Sequence, residues 1–393
     1  MKKPILVAAA AIAATAFIMP AAAQDLVLGL SHAKTGRYAT ASKTEIAVDI
    51  AVAEINAAGG VNGKKLRVEK FDTASDAKNA QIAVQQLAED KKALAIIGPF
   101  SSQEAQVAFA AGERLEIVQM PNASSAPGMT VGKKWAFRLT EDEGKQFTRL
   151  LISLERKGLA KAKTAAVFYP TDDAVGQILG TKLFPALLKK HGWTEVVPGE
   201  GFPFAASDLS PQVTKMRGKN PDIIAFGSVP EPAAKLMREA RRQGFSGRLV
   251  GGGTIADPDL GIKLGPDGEG AVYVSWYWWD FNDMTRNFEK KFIQESKKRN
   301  DPRNGAHHVD AAGYDIVYVY ADAMRRAKVT GDPAKLRAER DAIRVALATT
   351  SLPGVSGHIC FDKDREAELA GFAIGIKGGK RYLVDSHPSD KCK

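Results

Sequence analysis

The sequence predicts an α/β protein of two Rossmann-like lobes, each a parallel central sheet covered by helices. Short apolar strands alternate with amphipathic helices across residues 26–243, and such alternation calls for parallel sheets with helical crossovers. The alternation falls into two series, one starting at residue 26 and one near residue 143. At 393 residues the chain is too long for one ordinary core. It has no internal repeat, low-complexity tract or Pro/Gly/Ser-rich tether, so short crossovers must join the lobes.

The chain opens on an address. Lys2 and Lys3 precede the apolar run 5–19, and Pro20 and Ala21-Ala22-Ala23 follow, the three parts of a secretory signal. Residues 1–23 are expected to be removed, leaving Gln24 first. The apolar run is about 15 residues, whereas a membrane span needs roughly 20. No Cys stands at the cleavage site to carry a lipid. The mature protein is therefore expected to be soluble in the periplasm.

The first series begins with the strand 26–30, which runs into a loop, 31–40, containing Gly36. A helix over 41–57 follows, with Ile46, Val48, Ile50, Val52 and Ile55 on a broad apolar face. Gly59-Gly60 stops it. Residues 66–71 alternate like a strand, and 76–89 read as a helix. Leu94 to Ile97 form a wholly apolar run cut by Gly98-Pro99, as a strand buried on both faces requires. A helix over 102–112 and a strand over 117–120, ended by Pro121, complete the series. The second series reads as helix 143–157, strand 165–169, helix 174–190, a helix 208–218 capped by Ser207, strand 223–226 and helix 231–243.

Formal net charge is +10, or +8 once Lys2 and Lys3 are gone. The basic residues are scattered without a Lys/Arg-rich run, which reads as a solvated surface and not as a nucleic-acid interface. Two cysteines, Cys360 and Cys392, belong to no CxxC or zinc-type cluster. In an oxidising compartment they are expected to form a disulfide; the alternative is a buried Cys360 and a free Cys392 on the tail.

Open parallel sheets bind ligands beyond the carboxyl ends of their strands. Here those ends lead into Ser31 to Tyr38, Gly98-Pro99-Phe100-Ser101-Ser102, and Pro121-Asn122-Ala123-Ser124-Ser125-Ala126-Pro127. Serines just before a helix present hydroxyls and unbonded N–H groups to a carboxylate. Any one of them is equally a helix cap, but two clusters at adjacent strand ends suggest a shared anion-binding floor.

With these segments in view, the chain resembles the leucine/isoleucine/valine-binding proteins of bacterial ABC importers. The matching pieces are Glu54 to Lys64, the Ile96-Ile97-Gly98-Pro99 turn with its serines, Pro121 to Pro127, and Ser207-Asp208-Leu209-Ser210 leading to Asn220-Pro221-Asp222-Ile223-Ile224. The resemblance covers residues 25–385. It implies a type I periplasmic-binding fold whose chain crosses between lobes three times, near 141–143, 274–278 and 354–358. Lobe one would be 25–142 plus 276–356, and lobe two 143–275 plus 357–393. Ligand would lie between them, hinge motion would close the lobes, and a membrane permease would recognise the closed monomer. By the same resemblance Ser101, Ser102, Ala123, Ser124 and Ser125 would hold the ligand carboxylate, with Tyr38 as an aromatic neighbour.

The second lobe departs from the family pattern. Val175-Gly176 stands where the family commonly has Tyr-Gly, and Gly251-Gly252-Gly253-Thr254 where it has the acidic residue that receives the ligand ammonium. An unpaired ammonium in a closed cleft is costly. Either Asp173 or Asp257 substitutes, or the ligand is not an α-amino acid. Trp276-Tyr277-Trp278-Trp279 sits at the second crossing. Continued as a strand, it would turn Trp276 and Trp278 to one side, either into hinge packing or as an aromatic wall on the ligand.

No HExxH, GxSxG, P-loop or strand-borne GxGxxG occurs. An enzyme is not expected, nor a cofactor or a metal. Adjacent His307 and His308 would point to different sides of a helix and fit a helix-start surface or a cleft edge better than a metal pair. For a hydrolase, Ser101 with His32 is the one pair to test. A branched-chain amino acid or related small carboxylate is the expected ligand, with aromatic acids and amides as alternatives, and a periplasmic sensor subunit as the alternative role.

Overall fold

The computed structural model describes residues 25–41, 43–301 and 303–389. The signal segment and Cys392 lie outside them; Cys360 is disulfide-bonded.

The first sheet joins β1 (Leu26–His32), β2 (Leu66–Asp72), β3 (Ala95–Ile97) and β4 (Gln119–Met120) in the order β2-β1-β3-β4, all parallel. Every residue of β1 is buried, because alternate side chains serve two cores. Leu26, Leu28 and Leu30 pack with Val48, Ile55, Ile316 and Tyr320 on one face. Val27 packs with Ala80, Val84, Leu87 and Ala108 on the other. Strand order reverses between β1 and β3, and a crevice opens there at the strand ends.

The second sheet has seven strands. β5 (Thr164–Pro170), β6 (Thr194–Phe202), β7 (Ile223–Phe226), β8 (Arg248–Gly251) and β9 (Val272–Ser275) are parallel. A separate hairpin, β10 (Ser351–Gly354) with β11 (Gly357–Cys360), packs by the first lobe. β12 (Gly371–Lys377) and β13 (Lys380–His387) then complete the second sheet in the order β13-β12-β9-β8-β7-β5-β6. This sheet differs from the all-parallel expectation, since β12 runs antiparallel to both neighbours. The connection accounts for the β12–β13 pair: Gly378-Gly379, both at positive φ, closes a two-residue turn, and such a turn joins only antiparallel strands.

Three expected helices change shape, and the one over 76–89 ends in a π turn at Gln86–Asp90. The helix over 174–190 contains a π turn at Leu179–Leu183, next to Pro185, which has no N–H for the helical ladder. The helix expected from 208 starts at Ser210, and Asp208 rather than Ser207 takes the Ser210 N–H, at 2.8 Å.

Leu139 packs in the first core, Phe147 and Val274 in one beside the second sheet, and Trp276 in the first again. Beyond β9, the helices Asp283–Lys298, His308–Arg326 and Leu336–Leu347 return to the first lobe. Ile359, Ala367 and Leu369 still pack in that lobe's core, and Phe372 packs in the second. Bonds between Arg138 and the 365–367 segment hold this stretch to lobe one. Packing on the first core thus extends through Leu369, beyond 354–358.

Candidate functional site

The loop after β1 reaches across to the second lobe. Arg37 donates to the Asp172 carbonyl at 2.8 Å, Thr40 to Glu231 at 2.9 Å, and the Tyr38 hydroxyl to Asp173 at 3.4 Å. These bonds close the lobes over a cavity of about 60 Å3. Its lining residues come from both lobes.

Both serine turns reach this cavity. Ser101 caps the helix Ser102–Leu115 in a capping box: its hydroxyl accepts the Glu104 N–H and donates to the Glu104 carboxylate at 2.6 Å. Burial raises the Glu104 pKa. The Ser101 hydrogen is thus engaged locally, and the first-turn N–H groups of the helix remain as donors toward an anion. Ser102 knits the turns together, at 3.0 Å from the Ser124 hydroxyl and 3.2 Å from the Ala126 N–H. Ser125 lines the cavity, and among the described residues no protein group bonds its hydroxyl. Arg138, fully buried, bonds the Ser124 and Ala126 carbonyls and pairs with Glu366 at 2.6 Å, so the second turn is held from behind.

The opposite wall comes from lobe two: Asp173, Val175, Ser228, Val229, Gly253 and Thr254. Asp173 caps the helix that starts at Ala174. It accepts the Val175 N–H at 3.3 Å and the Ser228 hydroxyl at 2.9 Å. It is the one carboxylate among the described lining residues. Burial pushes its pKa up, as expected of a carboxylate without a tight cationic partner. Asp257, the other substitute, is held by Lys263 at 2.8 Å and does not line the cavity.

The glycine segment has a steric explanation. Glu143, at the first crossing, accepts the N–H groups of Gly253 and Thr254 at 2.9 and 3.0 Å. A Cβ on Gly253 would stand 2.4 Å from Gln146 Oε1 and 3.1 Å from His308 Cε1. A side chain at 253 would therefore have to displace the Gln146 amide, which stands where the acidic residue would project.

Of the residues singled out from sequence, Tyr38, Ser101, Ser102, Ala123, Ser125, Val175 and Gly253 meet on the cavity wall. Ser124 lies behind it. Trp278 does not line it and packs in the second lobe's core. β9 ends at Ser275, whose hydroxyl takes the Tyr277 N–H at 3.1 Å and donates to the Tyr277 carbonyl at 2.9 Å. That turn breaks the alternation which would have paired Trp276 with Trp278. Trp276 lines the cavity instead, its ring 3.8 Å from that of His308 and its Nε1 donating to the His308 carbonyl. Trp276→Ala is therefore expected to weaken ligand binding at least tenfold and to lower stability by about 3–5 kcal/mol. Trp278→Ala should lower stability alone; calorimetry and urea unfolding on both variants check this contrast.

Sequence reasoning missed Ala41, Phe100, Ser228, Val229 and Val309 as lining residues. Ser228 follows the end of β7, a strand-end position of the kind that identified the serine turns. Ser101 and His32 are not joined by a hydrogen bond among the described residues. His32 faces Lys34, Lys43 and Glu45 in a separate surface pocket.

Residues 26–380 match the family model described as periplasmic binding protein. The chain is 28% identical to the Leu/Ile/Val-binding protein of Escherichia coli K12 over 92% of its own length and 93% of that protein's. It is 29% identical to an amino acid binding protein of Pseudomonas aeruginosa over 61% of this chain and 64% of that protein. Among solved structures it is similar to the branched-chain amino acid transporter substrate binding protein LivJ of Streptococcus pneumoniae in complex with isoleucine (TM-score 0.78, 22% identity, 93% and 99% of the two chains). It is equally similar in fold to a solute binding protein of an ABC transporter from Rhodopseudomonas palustris in complex with 3,4-dihydroxy benzoic acid (TM-score 0.77, 20% identity, 94% and 98%).

Proposed function

Because the chain belongs to the periplasmic binding protein family, we propose that it is the periplasmic solute-binding component of an ABC importer. In this reading it takes a small α-amino acid, of branched-chain size or close to it, between two hinged lobes and delivers it to a membrane permease. The lobes are 25–142 with 276–369, and 143–275 with the remaining carboxyl-terminal strands. The ligand carboxylate meets the Ser125 hydroxyl and the helix N–H groups beyond Ser101. The ammonium meets Asp173. No bond is made or broken and no cofactor is needed.

One observation carries this reading: a single buried carboxylate, Asp173, lines the same cavity as the two serine turns, from the opposite lobe. A second reading, an aromatic carboxylate, is favoured by the aromatic lining of Tyr38, Phe100 and Trp276.

Amino acids and their des-amino counterparts, leucine against 4-methylpentanoate and phenylalanine against 3-phenylpropanoate, separate the two in a thermal-shift screen of the mature protein. A ligand at a hundredfold its Kd stabilises by about 2.7 kcal/mol, so the amino acid should raise Tm by several degrees and the des-amino acid should not. Equal shifts would remove Asp173 from ligand recognition. Growth of a deletion strain on the bound compound separates import from sensing.

A further inference from the structure

We propose that His307 and His308 form a subsite for a neutral side-chain group on the ligand that both accepts and donates a hydrogen bond, a hydroxyl or a carboxamide. The inference rests on the amino-acid reading above and narrows it.

Hydrogen-bond geometry assigns opposite roles to the two rings. His307 is the N-cap of the helix His308–Arg326, and its Nδ1 accepts the Val309 N–H at 3.2 Å. An accepting Nδ1 carries no proton, so in this ring the proton sits on Nε2. Asp310 takes the His307 backbone N–H at 3.0 Å. His308 is the reverse. Its Nδ1 lies 3.3 Å from the Ser275 hydroxyl, whose hydrogen already goes to the Tyr277 carbonyl. With the hydroxyl hydrogen on that nearer acceptor, the imidazole is assigned as the donor in this contact.

Burial, with Arg303 and Lys263 adding to it for His307, holds both imidazoles well below their ordinary pKa and so neutral. A neutral His308 protonated at Nδ1 leaves a lone pair on Nε2. Both rings line the cavity, and their centroids are 4.2 Å apart. Among the described residues neither Nε2 has a protein partner, and neither is sealed in the interior. The cavity thus holds one N–H donor and one nitrogen acceptor side by side. An aliphatic side chain would leave both unpaired in a closed cleft, which is unfavourable. A hydroxyl or carboxamide satisfies both.

Shape-matched amino acids test this by calorimetry on the wild-type mature protein: valine against threonine, and leucine against asparagine. Threonine or asparagine is expected to bind at least tenfold more tightly than its apolar isostere. Should valine and leucine bind as well as or better than their partners, the subsite is overturned and the amino-acid reading stands. If no member of either pair binds, both are overturned. His307→Asn keeps an N-cap oxygen and takes away the Nε2 donor, its own shorter amide ending nearer the backbone; His308→Phe keeps a ring against Trp276 and removes the acceptor. In each variant the polar-to-apolar affinity ratio should fall toward one. A ratio unchanged in both, with melting curves reporting folded protein, also overturns the assignment.

Discussion

Asp173→Asn is expected to weaken amino-acid binding by roughly thirty- to several-thousandfold, since removing one partner of a buried charge pair costs about 2–5 kcal/mol. The substitution keeps the side chain's shape, and its amide oxygen still accepts the Val175 N–H. The free protein should be at least as stable as wild type, because the buried Asp173 carboxylate is unfavourably desolvated. Loss of affinity without loss of stability is the signature of a ligand contact.

The same residue predicts a pH dependence. In the free protein burial raises the Asp173 pKa above the ordinary carboxylate value, and a bound ammonium would lower it. Proton and ligand therefore compete. Affinity should be level at neutral pH and fall as pH drops through the raised pKa of the free protein. In Asp173→Asn this acid limb should be absent. Calorimetry between about pH 4 and 7.5 reads both; an acid limb that survives in the variant would assign it to another group.

Strand-end chemistry was legible in the sequence, and most of the site follows from it. Gly/Pro and serine clusters stop β3 and β4, and parallel sheets put such stops on one edge. That is why Ser101, Ser102, Ala123 and Ser125 come together. Two kinds of information were not local. Whether Trp276 or Trp278 faces the ligand depends on where β9 stops, and that is decided by the Ser275 hydroxyl turning the chain at Tyr277. The arrival of His307, His308 and Val309 depends on a crossing of the lobes, because their helix packs on the first lobe although it follows the last parallel strand of the second. Their sequence carried the local part of the signal, a capping His307 with Asp310 three residues on, but not its destination. The hairpin β12–β13 was hidden for a similar reason: its positive-φ glycine pair gives the turn, while its attachment to β9 is tertiary.

Arg138→Met should destabilise the protein by about 3–5 kcal/mol, because it leaves the buried Glu366 charge without its partner. Glu366 keeps only the Thr130 hydroxyl, at 2.9 Å, and its own contact with lobe-one backbone. The double variant Arg138→Met/Glu366→Leu removes both charges and should recover most of that stability, since apolar replacement of a buried ion pair is often neutral. Binding should not recover with it. Arg138 is also a donor to the Ser124 and Ala126 carbonyls, on either side of the Ser125 hydroxyl that faces the cavity. Without that donor the Ala126 carbonyl is left unpaired, only Thr140 still reaches the Ser124 carbonyl, and the turn loses the brace that aims Ser125. The double variant is therefore expected to unfold near the wild-type urea midpoint yet bind at least tenfold more weakly. Wild-type affinity in the double variant would mean that the guanidinium serves the fold alone and that the anion-binding turn holds its shape unaided.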